Sequence, residues 1–329
     1  MDVFDGRARD VEQGRHEQVG GDLGRGHLVL HSARARRHRR QAMSLQTAKM
    51  TPPVDSTNAS LATNKRRWGA PMNQPIQNWQ GRRVWLVGAS SGIGLACAKA
   101  LQAAGAHVTV SARDLGTLSE WAAVCKTQGL PVELMSLDVT DALQVKYVAR
   151  QVAAAGPLDF VLYCAGHYRA QRATAFDLND MLRHQDVNYN GMLRVLDAVL
   201  PLFLQQGHGH ISLVSSVAGW RGLPNGLAYG PTKAAVTHVA ETLYMDLQDK
   251  GIGVSVINPG FVATPLTAQN NFQMPALISP EEAANAMLAG WAEGLFDIHF
   301  PKRFTSWLKL MRLLPYRIYF ALVRRFTGL

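Results

Sequence analysis

The chain is poor in cysteine and has no long apolar run. Its three cysteines, Cys97, Cys125 and Cys164, form no CxxC pair and have no paired histidine. This pattern argues against a disulfide framework and against a metal site, and it predicts reduced thiols in a cytoplasmic protein. A transmembrane helix needs about 18 consecutive apolar residues, and no such stretch occurs.

Positive charge is concentrated at the two ends of the 329-residue chain, whose formal net charge is +10. Residues 1–71 hold 13 Lys and Arg against 7 Asp and Glu, and residues 298–329 hold 7 against 0. The middle holds 14 against 17 and is mildly acidic. The basic balance therefore gives no reason to predict nucleic-acid binding by the fold.

The first 79 residues show no sustained apolar period and include a basic run at residues 32–40. We interpret residues 1–79 as a disordered extension. Two alternatives are an Arg-rich targeting peptide, which the acidic residues of this segment do not fit, and a translation start at Met43, Met50 or Met72. We favour the later start, because organised sequence begins abruptly near residue 80.

From residue 80 onward, short apolar runs alternate with amphipathic segments. They predict strands at 83–88, 107–111, 132–137, 158–163, 210–215, 251–258 and 297–300, and helices at 93–104, 114–127, 141–155, 178–206 and 229–250. Apolar strands alternating with helices indicate a parallel sheet covered on both faces. We predict an α/β fold with a doubly wound, Rossmann-type parallel sheet, built as a single domain from residues 80–300.

The first predicted strand runs into a glycine-rich turn, Gly88-Ala-Ser-Ser-Gly92-Ile-Gly94, directly before a helix. Glycine permits a tight turn and close approach of a pyrophosphate, and the helix N-terminus offers free N–H groups. In this strand–turn–helix context the turn predicts a dinucleotide site. A glycine-rich turn without a ligand is the alternative.

Tyr229 and Lys233 lie four residues apart and therefore on one face of a helix. An ammonium group beside a phenol favours the phenolate, which can make tyrosine a general acid or base. This spacing alone is also typical of a solvated surface pair. Ser216 lies thirteen residues before the tyrosine, directly after Ser215, for which a strand-end hydroxyl is the simpler interpretation.

These motifs together resemble the classical short-chain dehydrogenase/reductase (SDR) family over residues 80–300. Further matches, in the family's order and spacing, are Ala165-Gly166, Asp186-Val-Asn188 and Asn258-Pro-Gly-Phe-Val-Ala-Thr264. Val87, Tyr163 and Cys164 depart from the family pattern at positions that support the backbone.

The resemblance implies a role for each matching residue. Tyr229 would donate a proton to a carbonyl oxygen that Ser216 polarises. Lys233 would lower the tyrosine pKa and hold the nicotinamide ribose, and Asn188 would position a relay water, with a helix-kinking or capping role as its alternative. The cofactor contacts implied are Gly88, Ser90, Ser91, Gly92, Ile93, Gly94, Arg113, Asp138, Val139, Ala165, Gly166, Tyr229, Lys233, Pro259, Gly260, Val262 and Thr264.

The residue after the second strand predicts the cofactor. An acidic residue there binds the ribose 2′-hydroxyl of NAD, whereas arginine accommodates the 2′-phosphate of NADP. The chain has Arg113 at this position and no acid before Asp114. NADP(H) is therefore predicted over NAD, and the alternative is that Arg113 is simply a surface residue.

Two C-terminal segments bear on partners. A predicted lid at residues 265–279 is apolar, through Leu266, Phe272, Met274, Pro275, Leu277 and Ile278, and favours an apolar or lipid-like substrate, unless these side chains pack only within the protein. Residues 301–329, divided by Pro315, predict two amphipathic basic helices that bind an anionic membrane surface or dock on the protein's own dimer. The family resemblance also implies a homodimer or homotetramer, through the helices that start near Leu178 and Tyr229.

The predicted function is that of an NADP(H)-dependent oxidoreductase that interconverts a carbonyl and an alcohol, in the cytoplasm or peripherally on the cytoplasmic face of a membrane. The alternatives are an NADP-binding sensor or scaffold without turnover and a membrane-surface interaction protein.

Overall fold

The computed structural model describes residues 70–130 and 132–328, so nearly all of the predicted N-terminal extension lies outside the described residues. Seven short, mostly buried strands form one parallel sheet. They are β1 (Arg83–Val87), β2 (His107–Ala112), β3 (Glu133–Ser136), β4 (Phe160–Tyr163), β5 (Gly209–Val214), β6 (Ile252–Pro259) and β7 (Asp297–Phe300). Their order is β3-β2-β1-β4-β5-β6-β7. The order reverses beside β1, which leaves a crevice at the carboxyl ends of β1 and β4.

Helices cover both faces of this sheet. They are α1 (Gly92–Ala103), α2 (Gly116–Thr127), α3 (Ala142–Ala154), α4 (Leu178–Gln185), α5 (Gly191–Gln206), α6 (Tyr229–Leu247), α7 (Pro280–Ala292), α8 (Lys302–Arg312) and α9 (Tyr316–Thr327). Side chains alternate along β1, so Val84 and Leu86 join a core with α1, α2 and α7. Trp85 and Val87 join the opposite core, with α3, α5 and α6. The predicted doubly wound fold is confirmed.

The packed domain begins before the predicted boundary at residue 80. Asn73 donates its amide to the Val254 carbonyl (2.8 Å), and the Val254 N–H donates to the Asn73 side-chain oxygen (3.0 Å). Trp79 is 5% exposed, and its ring meets that of Phe160 edge-on at 5.2 Å. Residues 73–79 are therefore part of the α/β domain, because buried hydrogen bonds and ring contacts hold them on it.

Two predicted elements differ from the structure. The single helix predicted at residues 178–206 is divided into α4 and α5 by a π-helical turn, Asp186–Asn190. Helix α7 was not predicted, although Ser279 and Glu282 form a reciprocal capping box at its start.

The C-terminal segment forms the two predicted helices on either side of Pro315, and they dock on the domain. The Arg221 guanidinium donates to the carbonyls of Met311 (3.0 Å) and Leu314 (2.8 Å), and lies 4.0 Å from the centre of the Tyr319 ring. The Tyr319 hydroxyl donates to the Gly222 carbonyl (2.7 Å). Within the described ranges, no helix has the length and apolarity needed to cross a membrane.

Candidate active site

A cavity of about 480 Å³ opens at the carboxyl edge of the sheet, where β1, β4, β5 and β6 end. Ser216 and all the residues predicted to contact the cofactor line it. These are Gly88, Ser90, Ser91, Gly92, Ile93, Gly94, Arg113, Asp138, Val139, Ala165, Gly166, Tyr229, Lys233, Pro259, Gly260, Val262 and Thr264. The fold therefore brings together residues that lie up to 176 positions apart in the sequence, from Gly88 to Thr264.

The glycines of this turn have no room for side chains. Gly88 has a φ of +83°, and a Cβ atom there would lie 2.3 Å from the Ala165 backbone. A Cβ atom on Gly94 would lie 2.8 Å from the Cα atom of Ala89. Ser91 precedes α1 without capping it through its side chain, so the first N–H groups of α1 are available to an anion.

Ser216 and Tyr229 form the polar centre of the cavity wall. Ser216 follows β5 and accepts a hydrogen bond from the Ala218 N–H (3.1 Å), and Tyr229 is the first residue of α6. Burial raises the pKa of the tyrosine above its ordinary value of 10, and the nearby Ser216 hydroxyl opposes that rise. Ser215 is buried instead, where its hydroxyl donates to the Lys233 carbonyl (2.7 Å).

Lys233 lies one turn of α6 beyond Tyr229 and is 3% exposed. Its amine donates to the Val214 carbonyl (2.8 Å) and lies 5.5 Å from the centre of the Tyr229 ring. Burial lowers the pKa of Lys233 to about 8, although Cys164 opposes the change. The amine donates to a carbonyl in this structure, and the lowering of the tyrosine pKa by Lys233 stays a prediction.

Asn188 lies in the π-helical turn, is fully buried, and is absent from the cavity wall. Its amide nitrogen donates to the His167 carbonyl (3.0 Å) and to the Thr232 hydroxyl (3.0 Å), and its oxygen accepts from the His167 N–H (2.7 Å). Both amide hydrogens are thus used by protein atoms. The side chain clamps the loop after β4 to α6, and its role in holding a relay water stays a prediction.

Arg113 follows β2, is exposed, and contributes to the cavity wall. The next residue, Asp114, accepts from the Gly116 N–H (2.8 Å) and so serves the start of α2. Burial raises the pKa of nearby Asp138, but hydrogen bonds from Thr140 and the charge of Arg113 outweigh it, so the pKa is lowered and the carboxylate is favoured.

The cavity residues that were not found from the sequence include His167, Tyr168 and Gln269. The Tyr168 ring meets that of Tyr229 edge-on at 5.1 Å, and its hydroxyl donates to Asn270 (3.0 Å). The sequence does contain one signal that could have identified His167 and Tyr168 as cavity residues: they directly follow the Ala165-Gly166 motif.

The predicted lid contributes less to the cavity than its composition indicated. Among its six apolar residues, all within the described part of the chain, Leu266 lines the cavity. Phe272 packs against Phe261, with ring centres 5.7 Å apart, and Leu277 is 44% exposed.

The sheet is parallel, with the glycine turn after β1 and a Ser–Tyr–Lys cluster at its carboxyl edge. This arrangement is typical of oxidoreductases that bind a dinucleotide. Residues 82–275 match the family model described as short chain dehydrogenase, which covers more than half of the chain. The protein belongs to the short-chain dehydrogenase family.

Named relatives agree with this assignment. An uncharacterized oxidoreductase of Myxococcus xanthus is 34% identical over 245 residues, which cover 74% of this chain and 97% of the relative. A short chain dehydrogenase/reductase from Burkholderia phymatum, solved with NAD, has a TM-score of 0.66 at 24% identity, covering 72% of this chain and 94% of that one. A gluconate 5-dehydrogenase from Burkholderia cenocepacia, solved with NADP and tartrate, has a TM-score of 0.62 at 23% identity, covering 72% and 98%. These two structures support the fold alone.

Proposed function

We propose that the protein is an NADP(H)-dependent oxidoreductase that interconverts a carbonyl and a primary or secondary alcohol at Ser216, Tyr229 and Lys233. The observation that carries this proposal is that Ser216, Tyr229 and Lys233 lie together in the wall of the cavity that the glycine turn also lines. A proton donor beside a phosphate-binding turn suits a reaction in which proton transfer to the substrate accompanies hydride transfer by a dinucleotide cofactor.

The residues of the cavity fit a dinucleotide. Gly88 and Gly94 line the cavity, and each lets the turn pack closely where a Cβ atom would collide with the backbone of the protein. The start of α1, which no side chain caps, lines the same cavity. Asp138 and Val139 line the cavity where they would contact the adenosine end of the cofactor, and Val262 and Thr264 would contact its nicotinamide end. When bound, the cofactor supplies or accepts the hydride at the carbonyl carbon.

In the direction of reduction, Tyr229 supplies the proton. As negative charge develops on the carbonyl oxygen, Ser216 donates a hydrogen bond to that oxygen. The phenol O–H bond breaks while an O–H bond forms on the product alcohol. Because burial raises the tyrosine pKa, the phenol is protonated before the reaction. The nearby Lys233 ammonium stabilises the phenolate that remains.

Preference for NADP(H) over NAD(H) rests on Arg113. Its guanidinium is exposed at the cavity, while the neighbouring acid, Asp114, is held at the start of α2. Loss of one charged hydrogen-bonding group corresponds to a change of about 10-fold or more in affinity. Arg113→Ala should therefore weaken NADPH binding by about this factor and leave NADH binding unchanged, whereas the exposed Lys126→Ala serves as control. Equal losses for both cofactors would contradict the assignment.

The substrate class is proposed to be apolar or lipid-like, because Leu266 of the apolar lid segment lines the same cavity as Ser216 and Tyr229. The test is NADPH oxidation with 2-alkanones and aldehydes of increasing chain length. We expect kcat/KM to rise with chain length. Tight NADPH binding without turnover of any carbonyl would contradict the enzyme proposal and favour a sensor or scaffold.

A second proposal concerns the tail formed by α8 and α9, which we propose binds an anionic membrane surface peripherally on the cytoplasmic side. Residues 301–329 contain seven Lys and Arg and no acidic residue. The tail leaves large apolar side chains exposed, among them Leu313 at 80%, Tyr316 at 69% and Phe326 at 67%. Cations beside exposed aromatic and aliphatic groups match the interface of an anionic bilayer.

Vesicle co-sedimentation of the full chain tests the membrane proposal. Phosphatidylcholine vesicles containing phosphatidylserine should bind the protein, and pure phosphatidylcholine should bind it weakly. Arg324→Glu combined with Arg325→Glu should abolish binding, whereas Lys126→Glu on α2 should retain it. Absence of binding by the wild-type chain would contradict the proposal and leave docking on the protein as the tail's role.

We further propose that the protein is a homodimer or homotetramer. Apolar residues remain exposed on two helices that cover the same face of the sheet, including Leu204 of α5 at 51% and Met245 of α6 at 61%. Burial of such side chains between copies is favourable. Light scattering during gel filtration measures the assembly, and a monomer at micromolar concentration would contradict this part of the account.

A further inference from the structure

A histidine follows directly after the Ala165-Gly166 turn and is held in the wall of the active-site cavity. The backbone N–H and carbonyl of His167 are both bound by the Asn188 side chain, at 2.7 and 3.0 Å. Its ring nitrogen Nε2 lies 2.7 Å from an oxygen of Asp180. The residue is therefore fixed at the backbone and at the ring, and its second ring nitrogen, Nδ1, has no protein partner among the described residues.

Asp180, on α4, is buried, with 6% of its side chain exposed. Its second oxygen accepts a hydrogen bond from the Gln171 amide at 2.6 Å. Burial raises its pKa, but the hydrogen bonds from His167 and Gln171 outweigh it, so the carboxylate is favoured. Taking a carboxylate out of water is costly, and an apolar contact could hold this loop without that cost. The buried carboxylate therefore holds the His167 ring in one orientation.

The carboxylate also fixes which atom of the imidazole is available. Nε2 must carry a hydrogen to donate to Asp180, whether the ring is neutral or charged. Nδ1 is then the remaining polar atom. His167 keeps 21% of its side chain exposed and lines the same cavity as Ser216 and Tyr229.

His184 completes the cluster without making it a metal site. Its Nδ1 donates to the Asp180 carbonyl (2.7 Å), and its Nε2 accepts from the Arg169 N–H (3.1 Å). Both nitrogens of this fully buried ring are occupied, so it is neutral, and burial lowers its pKa. His184 therefore offers no lone pair to a metal, although His167, Asp180 and His184 lie close enough together to suggest one.

We propose that His167 is a substrate-binding residue whose Nδ1 hydrogen-bonds a second oxygen of the substrate, a few bonds from the reacting carbonyl, and that Asp180 is its positioning residue. This inference rests on the proposed carbonyl chemistry and narrows its substrate class. The preferred substrates are apolar chains that carry one of two groups beside the carbonyl: a hydroxyl, which donates to Nδ1 of the neutral ring, or an ester or carboxylate oxygen, which accepts from Nδ1–H of the charged ring. Plain ketones of equal length are poorer substrates.

Matched substrates test the proposal. We compare kcat/KM for 2-octanone, 1-hydroxy-2-octanone and 2-oxooctanoate in wild type, His167→Phe and Asp180→Asn. One hydrogen bond of this kind corresponds to about 10-fold to 100-fold in kcat/KM. Wild type should prefer at least one oxygenated compound by that factor, and His167→Phe should lose the preference while still reducing 2-octanone. Asp180→Asn should raise KM for that compound with little change in kcat.

A merely structural role gives a different result. If His167→Phe lowers activity on all three compounds equally, or leaves the preference intact, the proposal is overturned. The exposed His238→Phe, on α6, controls for the substitution itself and should behave as wild type. His167→Gln, which keeps a hydrogen-bonding group, should restore part of the preference.

A binding measurement separates this proposal from the function on which it rests. Calorimetric titration of the NADP⁺-loaded full chain with 1-hydroxy-2-octanone and with 2-oxooctanoate needs no turnover. Binding of either compound that His167→Phe weakens about 10-fold supports the role of His167 even if no carbonyl is reduced. If neither compound binds better than 2-octanone, the proposal is overturned whatever the activity.

Discussion

Replacing Lys233 with methionine is expected to stabilise the cofactor-free protein while abolishing its activity. Burial lowers the pKa of Lys233 from 10.5 to about 8, which corresponds to about 3 kcal/mol of unfavourable free energy for the charged amine. Methionine removes that cost together with the hydrogen bond to the Val214 carbonyl, which contributes about 1 kcal/mol. We expect the free energy of unfolding to rise by about 2 kcal/mol at neutral pH.

The pH dependence of this effect has a definite sign. Because the pKa of Lys233 is lower in the folded chain, the unfolded chain binds the proton more readily between about pH 8 and pH 10.5. The cost is fully present below pH 8 and is lost as the pH rises through this window. The advantage of Lys233→Met should therefore disappear near pH 10.5.

Urea unfolding at about pH 7 and pH 10 measures the difference between the two proteins. Lys250→Met serves as control, because that lysine side chain is 55% exposed and should show neither effect. A Lys233→Met protein that is less stable than wild type at neutral pH would refute the reasoning. So would a stability difference that does not change with pH.

Two further predictions concern the glycine turn and the tail. Gly94→Val places side-chain atoms against the Ala89 backbone, because even a Cβ atom at this position would lie 2.8 Å from the Ala89 Cα atom. The variant should weaken NADPH binding by about 10-fold or more in a fluorescence titration, and unchanged affinity would contradict the proposed role of the glycine turn in cofactor binding. Arg221→Lys removes the guanidinium that binds the Met311 and Leu314 carbonyls, and should destabilise the docked tail by about 2 kcal/mol, seen as faster tryptic cleavage within residues 301–329. An unchanged cleavage rate would mean that other contacts hold the tail.

The elements that the sequence predicts well are those with local signals. Apolar runs predicted all seven strands, and the glycine turn marked the site because its strand–turn–helix context is continuous in sequence. Helix α7 also has a local signal, the Ser279–Glu282 capping box, which lies in the spacing of two polar residues and not in an apolar run. Pro315 correctly divided the tail into two helices.

Long-range contacts could not be predicted in the same way. Arg221 meets a helix end 90 residues later in the chain, at Met311, and no periodicity encodes that pairing. Asn188 matched its motif, but the partners that occupy its amide lie in two other elements. The contact between His167 and Asp180 could not be predicted either, because in the sequence His167 is an ordinary loop residue and Asp180 an ordinary helix residue.

The central claim is that Tyr229 is the proton donor in a hydride transfer, and steady-state NADPH oxidation tests it most directly. The assay compares wild type, Tyr229→Phe and Tyr147→Phe on the best carbonyl substrate, the last as a matched control because Tyr147 is 63% exposed on α3. Fluorescence titration checks that each variant still binds NADPH. The account predicts that Tyr229→Phe lowers kcat by about 100-fold or more and that Tyr147→Phe has no effect. A Tyr229→Phe enzyme as active as wild type would contradict the mechanism.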